Sequence, residues 1–269
     1  MFTLVAFHAH PDDETLLTGG TLADAASRGH RVVLVTATEG EAGLAADAAD
    51  AEGLGSLRAT ELQRAAEALG CARVVQLAYP DSGWDRPVPG PRFADLDPAE
   101  PAERLAAILR EEHADVLTVY DPRGGYGHPD HVQVHRVGVR AAELAGTPRV
   151  LEATVDRTSL VRLAAVMRWV PGLRRLVPPD GFAGSFTARE ELTHCVDVRP
   201  SLAAKRAALR AHHSQAGGGS SVRTAAALLR LPTPVLGLVL GREWFVERGR
   251  APAVPLLGDV FAGLDDGGR

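Results

Sequence analysis

Cysteine is nearly absent from this sequence. Its 269 residues contain only Cys71 and Cys195, and neither has a further cysteine or histidine at zinc-finger spacing. A disulfide-stapled scaffold and a small zinc finger are therefore excluded, and two structural thiols in a reducing compartment are expected.

Positive charge is not in excess either, since the net charge is −5 and the isoelectric point is about 6.1. This balance argues against nucleic acid as the main partner.

Long hydrophobic runs are also missing. No stretch of 18 residues is apolar without interruption, and Pro232 and Pro234 break the apolar run 228–240. The first residues are apolar but carry no basic region before them, so we interpret them as a buried strand and not as a signal peptide. From these absences we expect a protein without a membrane span that is located in the cytoplasm.

Two segments of the C-terminal half are unusual in composition. Residues 160–177 combine apolar residues with four arginines and no acidic residue. They are typical either of a helix on a membrane or over a substrate, or of a helix packed on the sheet with its arginines in water. Pro171 and Gly172 favour the second interpretation, because they break a long amphipathic face. Residues 216–221 (AGGGSS) predict a flexible loop.

Apolar residues make up 45% of the chain and charged residues 23%, as in an ordinary globular protein. Over residues 1–150, short β-branched apolar runs alternate with segments of helical periodicity. This alternation predicts a Rossmann-like α/β fold, a parallel sheet with helices on both faces. Residues 151–269 are less regular, and we expect them to complete the sheet and the substrate pocket within the same domain. The predicted strands are 3–7, 31–38, 73–78 and 115–120; the predicted helices are 14–28, 57–69, 100–113 and 131–144; residues 79–98 form a predicted loop.

Histidines and carboxylates cluster after two of the predicted strands. The first strand leads into HAHPDDE (residues 8–14), and the strand that ends at Tyr120 leads into DPRGGYGHPDH (residues 121–131). In a parallel α/β sheet, sites form beyond the carboxyl ends of the strands. Both clusters are therefore expected at the same edge of the sheet, where they predict a functional site.

The spacing within these clusters suits a metal ion. A catalytic zinc ion takes three protein ligands and leaves one position open. His10 and Asp13 lie three residues apart in one loop, and His131 begins a helix after the other strand, so these three are the candidate ligands. Two histidines and a carboxylate suit Zn²⁺ and also Fe²⁺. His135 could be a fourth ligand, although a role in packing or in supporting a ligand is favoured.

The remaining polar residues of the clusters are candidates for proton transfer. Asp12 lies between two candidate ligands, where a general base for the attacking water is needed. His128, held protonated by Asp130, is predicted to stabilise the oxyanion or to protonate the leaving amine. Tyr126 offers a hydroxyl for the same tetrahedral intermediate.

Two other functions fit less well. A nucleotide-binding enzyme of Rossmann type needs glycines after its first strand, in the pattern G-x-G-x-x-G, and this chain has HAHPDDE there. A sugar-binding protein without catalysis is expected to lack a ligand or the base, and this chain retains all of them.

The motif pair AHPDDE and GYGHPDHVQVH resembles that of the LmbE-like/PIG-L family of zinc-dependent N-deacetylases, and the similarity covers residues 1–150. The resemblance implies hydrolysis of an N-acetyl group on an amino sugar, with release of acetate and a free amine. It leaves open whether the protein is a homo-oligomer. It implies the same roles as the spacing does: His10, Asp13 and His131 as zinc ligands, Asp12 as general base, and His128 oriented by Asp130.

The chain is most similar to the deacetylases and amidases of mycothiol metabolism. Arg58 in SLRATEL, Asp81 in YPDSGW and Gln215 in KRAALRAHHSQ match residues that bind the substrate in that branch. The resemblance therefore implies a substrate such as N-acetylglucosaminyl-inositol. Trp84 departs from the pattern, which has an apolar non-aromatic residue such as Met there. A thiol conjugate and the amino sugar of an antibiotic are the alternative substrates.

Overall fold

In a computed structural model, the chain is described over residues 1–42, 51–84, 90–169, 182–212, 228–252 and 254–264, without the side chains of residues 51–54 and 166. The strands are β1 (Thr3–His8), β2 (Arg31–Thr38), β3 (Arg73–Tyr79), β4 (Val116–Tyr120), β5 (Arg149–Thr154), β6 (His194–Asp197) and β7 (Arg242–Glu247). The helices are α1 (Asp13–Leu17), α2 (Gly19–Ser27), α3 (Ala51–Leu69), α4 (Ala99–Glu111), α5 (Pro129–Ala145), α6 (Arg157–Trp169), α7 (Leu202–Ala211) and α8 (Thr233–Leu240).

The seven strands form one sheet in the order β3-β2-β1-β4-β5-β7-β6. The first five strands in this order are parallel, and β7 and β6 continue the sheet in antiparallel orientation. The prediction of a Rossmann-like α/β fold is confirmed. The C-terminal segment contributes the two antiparallel strands, which the alternation over the first 150 residues does not reveal.

Two apolar cores cover the two faces of the sheet, and β1 contributes to both. Val5 and Phe7 belong to the core under α4 and α5, whereas Leu4 and Ala6 belong to the core under α2, α3 and α7. Since successive side chains of a strand point to opposite faces, a strand covered on both sides is apolar throughout. This is the physical reason for the continuous apolar runs in the sequence.

The order of the strands reverses between β1 and β4. From β1 the chain proceeds to β2 and β3 on one side, and it then returns to place β4 and β5 on the other. A crevice opens at such a switch point, because the connections leave the two strands in opposite directions. The two clusters rich in histidine follow β1 and β4, the strands that border this crevice.

The predicted helix 14–28 is wrong in one respect, because it is divided into α1 and α2. The chain breaks at Thr18, which has φ −133° and donates its hydroxyl to the carbonyl of Glu14. Close packing accompanies the break: a Cβ atom on Gly20 would lie 2.3 Å from Cβ of Val198. Asp13 and Glu14 therefore belong to α1, a short helix separate from α2.

The apolar C-terminal segments form short helices. Residues 160–169 of the basic segment belong to α6, and its residues 170–177 lie outside the described part of the chain, as does the loop predicted at 216–221. Within the described ranges, no helix is both long enough and apolar enough to cross a membrane.

Candidate active site

The loop after β1 brings His10 and Asp13 into contact. Nδ1 of His10 lies 3.2 Å from Oδ2 of Asp13, and the backbone N–H of His10 donates to the same oxygen at 3.1 Å. Burial opposes ionisation of Asp13, but the neighbouring His131 and His10 outweigh it and lower the pKa of this carboxyl well below its usual range. Asp13 is therefore an anion that faces a histidine ring.

The loop after β4 is built around Asp121. Its Oδ1 accepts the backbone N–H of Gly125 at 3.0 Å. Gly124 adopts φ +65°, and a Cβ atom there would lie 2.8 Å from the backbone nitrogen of Val132, so the turn requires glycine. The turn leads directly into α5, whose N-cap is His128. His131 follows in the first turn of this helix and faces the loop after β1.

His131 completes a group of three candidate metal ligands with His10 and Asp13. Its Nε2 lies 3.3 Å from Oδ2 of Asp13, and ligand atoms of the three residues lie within 4.8 Å of one another. The ring is buried and stacks flat on Tyr120, with centroids 4.0 Å apart. The contact with Asp13 does not have hydrogen-bond geometry, so neither ring nitrogen has a hydrogen-bond partner among the described residues. Buried nitrogens of this kind need a partner, and this donor set fits a divalent metal ion.

A second group, His10, His128 and Asp130, also has its ligand atoms within 4.8 Å. Its atoms are already engaged: Nδ1 of His128 accepts the backbone N–H of Asp130 at 3.2 Å. The carboxylate of Asp130 accepts the backbone N–H of Ser82 at 3.0 Å and also its hydroxyl. The group with the unpartnered nitrogens of His131 is therefore the better metal site.

Asp130 supports His10 and not His128. Its Oδ2 lies 3.1 Å from Nε2 of His10, on the side of the ring opposite to Asp13. A carboxylate in this position fixes the ring orientation of a metal-binding histidine and raises its basicity. The prediction that Asp130 orients His128 through its carboxylate is wrong, because the geometry of the helix N-cap turns the backbone N–H of Asp130 towards that ring instead.

His128 is a neutral donor at this site. Burial, followed by the neighbouring His10 and His131, lowers the pKa of His128 to about 4, so the prediction of a protonated ring is also wrong. Since Nδ1 accepts a hydrogen bond, the proton of the neutral ring is on Nε2, which can donate. Tyr126 lies beside the His131 ring at a centroid distance of 5.2 Å. Partial burial and the Asp13 carboxylate raise the pKa of its phenol, which therefore remains a donor.

Asp12 has an unusual backbone conformation and a raised pKa. Its φ is +112°, and its side chain is 32% exposed, so the carboxylate can meet a water molecule. Desolvation raises the pKa of Asp12 to about 6, although Arg58, with Nη2 3.7 Å from Oδ2, acts in the opposite direction. A carboxylate with this pKa is suited to accept a proton near neutral pH.

The three predicted substrate residues have different surroundings. Arg58 is only 4% exposed, and its guanidinium donates to the carbonyls of Gly40 and Pro11. These contacts hold Arg58 against the loop that carries Asp12, with Nη2 3.7 Å from Oδ2 of Asp12, and a contact of Arg58 with the substrate stays a prediction. Asp81 is also buried, with Oδ1 3.5 Å from Nε2 of His10. Gln215 lies outside the described residues.

Three residues near the site were missed by the sequence reasoning. Ser82 binds Asp130, and Glu14 binds both the backbone of Asp12 and the ring of His212. Glu14 belongs to AHPDDE and Ser82 to YPDSGW, so their positions in these motifs could have identified them as site residues. His212 belongs to KRAALRAHHSQ, but the neighbouring residues do not indicate its partner Glu14, which is 198 residues away along the chain.

A family profile and curated relatives both match this chain. Residues 5–142 match the profile of the PIG-L family, described as GlcNAc-PI de-N-acetylase. The 1D-myo-inositol 2-acetamido-2-deoxy-alpha-D-glucopyranoside deacetylase of Mycobacterium sp. (strain KMS) is 41% identical, over 87% of this chain and 81% of that protein. The protein of the same name from Nocardia farcinica (strain IFM 10152) is 39% identical, over 97% of this chain and 96% of that protein.

Among solved structures, the conserved protein TT1542 from Thermus thermophilus is similar, with a TM-score of 0.62 and 25% identity. The match covers 95% of this chain and 98% of that one. The family profile spans the two motifs, and the two curated relatives cover most of the chain. The resemblance inferred from AHPDDE and GYGHPDH is thereby confirmed, and this chain belongs to the LmbE-like/PIG-L family of deacetylases.

Proposed function

We propose that this protein is a zinc-dependent N-deacetylase that acts on 1D-myo-inositol 2-acetamido-2-deoxy-α-D-glucopyranoside. Water hydrolyses the acetamide bond, so that acetate and the free amine of the sugar are released. The site carries the chemistry of this proposal, and the relatives named above suggest the substrate.

The observation that supports the reaction most directly is the group His10, Asp13 and His131, with the carboxylate of Asp12 in the same loop. These three residues would hold the metal ion. When bound, the ion supplies a Lewis acid for the amide carbonyl and a lowered pKa for the attacking water. We propose Zn²⁺, because two histidines and one carboxylate are typical of catalytic zinc sites.

Asp12 is the proposed general base. Its carboxylate is partly exposed, and its pKa of about 6 lets it accept a proton from the attacking water and later return one. The returned proton goes to the nitrogen of the breaking C–N bond, so that the sugar leaves as a neutral amine. The buried Arg58 limits how far the pKa of Asp12 rises.

In this proposal, two neutral side chains donate hydrogen bonds to the acetamide carbonyl of the substrate. As the water attacks, negative charge develops on the carbonyl oxygen, and donors placed in advance stabilise it. Nε2–H of His128 and the hydroxyl of Tyr126 are available for this, because neither group ionises near neutral pH. Asp130 contributes indirectly, since it holds the ring of His10.

Release of primary amine from the inositol glycoside tests the proposed function. The purified protein should release amine at a rate that a chelator abolishes and that one equivalent of Zn²⁺ restores. A parallel titration with Fe²⁺ under anaerobic conditions identifies the more active metal. Protein that contains metal and releases amine from a thiol conjugate or an antibiotic amino sugar, but not from the inositol glycoside, would contradict the proposed substrate. Protein that contains metal and cleaves none of these amides would contradict the chemistry.

Trp84 is expected to contribute to substrate binding. Its indole is half exposed, stacks on His128 with ring centroids 5.2 Å apart, and contacts the edge of Tyr126. We expect the exposed face of this indole to pack on the substrate, and an aromatic contact contributes about 0.5–1.5 kcal/mol. Trp84→Met should therefore raise KM by about 2- to 10-fold and change kcat little. Trp169→Met is the matched control, since this indole at the end of α6 is 90% exposed and makes no ring contact with His128 or Tyr126 among the described residues. Equal KM values for both variants and the wild type would exclude this role.

A further inference from the structure

The backbone of Asp12 is held in a conformation that L-residues rarely adopt. Its φ of +112° with ψ of −30° lies outside the regions that side chains normally allow, so the surrounding structure must hold it in place. Hydrogen bonds to its carbonyl and from its N–H hold Asp12 in this conformation. The carbonyl of Asp12 accepts hydrogen bonds from the backbone N–H and the hydroxyl of Thr15, at 3.1 and 2.7 Å.

The N–H of Asp12 is bound by a buried carboxylate. Oε2 of Glu14 accepts it at 2.9 Å, and Glu14 has no exposed surface. Glu14 is the second residue of α1, so its side chain can reach back to the residue before the helix. A buried carboxylate with a single weak partner is unfavourable, and Glu14 needs a second partner to keep this orientation.

That partner comes from the other half of the chain. Nε2 of His212 lies 2.7 Å from Oε1 of Glu14, and His212 is itself buried. His212 directly follows α7, a helix that packs against α1, α2 and α3. The contact Asp12–Glu14–His212 therefore connects the catalytic loop after β1 to the end of α7. None of these contacts involves the ring nitrogens of His10 or His131.

We propose that Glu14 and His212 are positioning residues that hold the carboxylate of Asp12 in its working orientation. This inference rests on the proposed function of Asp12 as general base. His212 fixes the rotamer of Glu14, and Glu14 fixes the backbone of Asp12. Loss of His212 then leaves the metal ligands in place but lets the general base move away from the water.

Steady-state kinetics of His212→Leu test the proposal. We expect kcat for amine release to fall on the order of 10- to 100-fold, because a displacement of about 1 Å at the reacting group has an effect of this size. KM should stay within about twofold, and the metal content should equal that of the wild type. In His212→Gln, the side-chain amide replaces Nε2 as the donor to Glu14 and should restore most of kcat.

A double-mutant cycle separates positioning from general stability. If His212 acts through Asp12, His212→Leu should have no further effect on kcat in an Asp12→Asn background. His194→Leu is the matched control, since His194 is fully buried in β6 at the far edge of the sheet. It should lower the melting temperature without changing kcat.

Two results would overturn the proposal. One is a wild-type kcat in folded His212→Leu protein, and the other is the same fractional loss in the Asp12→Asn background as in the wild type. Failure of the proposed function would look different, because the wild-type protein with its metal would then release no amine at all.

Discussion

Asp12→Asn protein should retain its fold and its metal but lose about 10²- to 10⁴-fold in kcat/KM, the range that a general base contributes. The amide cannot accept the proton of the attacking water. Asparagine is the suitable replacement because it tolerates positive φ better than alanine and keeps the N–H that Glu14 binds. Amine release and metal content are measured on the same preparation.

Asp24→Asn is the matched control for this experiment. Asp24 is an exposed carboxylate on α2 that pairs with Arg28, outside the site. The control should have wild-type activity. Near-full activity of Asp12→Asn at wild-type metal content would show that another group accepts the proton, and the assignment of Asp12 would be wrong.

His131→Ala protein should lose the metal and, with it, essentially all activity. The substitution removes one of the three proposed ligands and leaves His10 and Asp13, which rarely suffice for tight binding. Metal content after dialysis and the affinity for Zn²⁺ in calorimetry are the measurements. Circular dichroism verifies the fold, since His131 is buried and stacks on Tyr120.

His135→Ala provides the comparison on the same helix. His135 lies one turn beyond His131, and its Nδ1 is 3.0 Å from the carbonyl of Tyr120, outside either group of candidate ligands. This variant should keep its metal. Wild-type affinity for Zn²⁺ in His131→Ala, or loss of the metal in His135→Ala alone, would contradict the proposed ligand set.

Much of the site could be predicted because its first residues are close in sequence. His10 and Asp13 follow β1 closely, and a spacing of three residues is enough to bring their side chains together. His131 required one more rule, that the carboxyl ends of parallel strands meet at the same edge of the sheet. The order of the strands agrees with that rule, since β1 and β4 are neighbours.

The orientations of the side chains could not be predicted in the same way. The sequence pattern suggested that Asp130 serves the nearby His128, but the carboxylate turns to His10 and Ser82. The motif likewise did not predict that the guanidinium of Arg58 donates to the carbonyls of Gly40 and Pro11. Neighbours in sequence do not determine which of several polar groups a side chain faces once all of them are packed together.

The amino-acid sequence by itself determined the class of fold, the positions of the two site loops and the candidate metal ligands. The fold class depends on periodicity, the pair His10 and Asp13 on local spacing, and His131 on the rule that the carboxyl ends of parallel strands meet at one edge of the sheet. Only the tertiary structure decided the antiparallel strands β6 and β7, the partners of His128 and Asp130, and the contact between Glu14 and His212. These depend on burial and on partners up to 198 residues apart, which the packing of the helices on the sheet brings together.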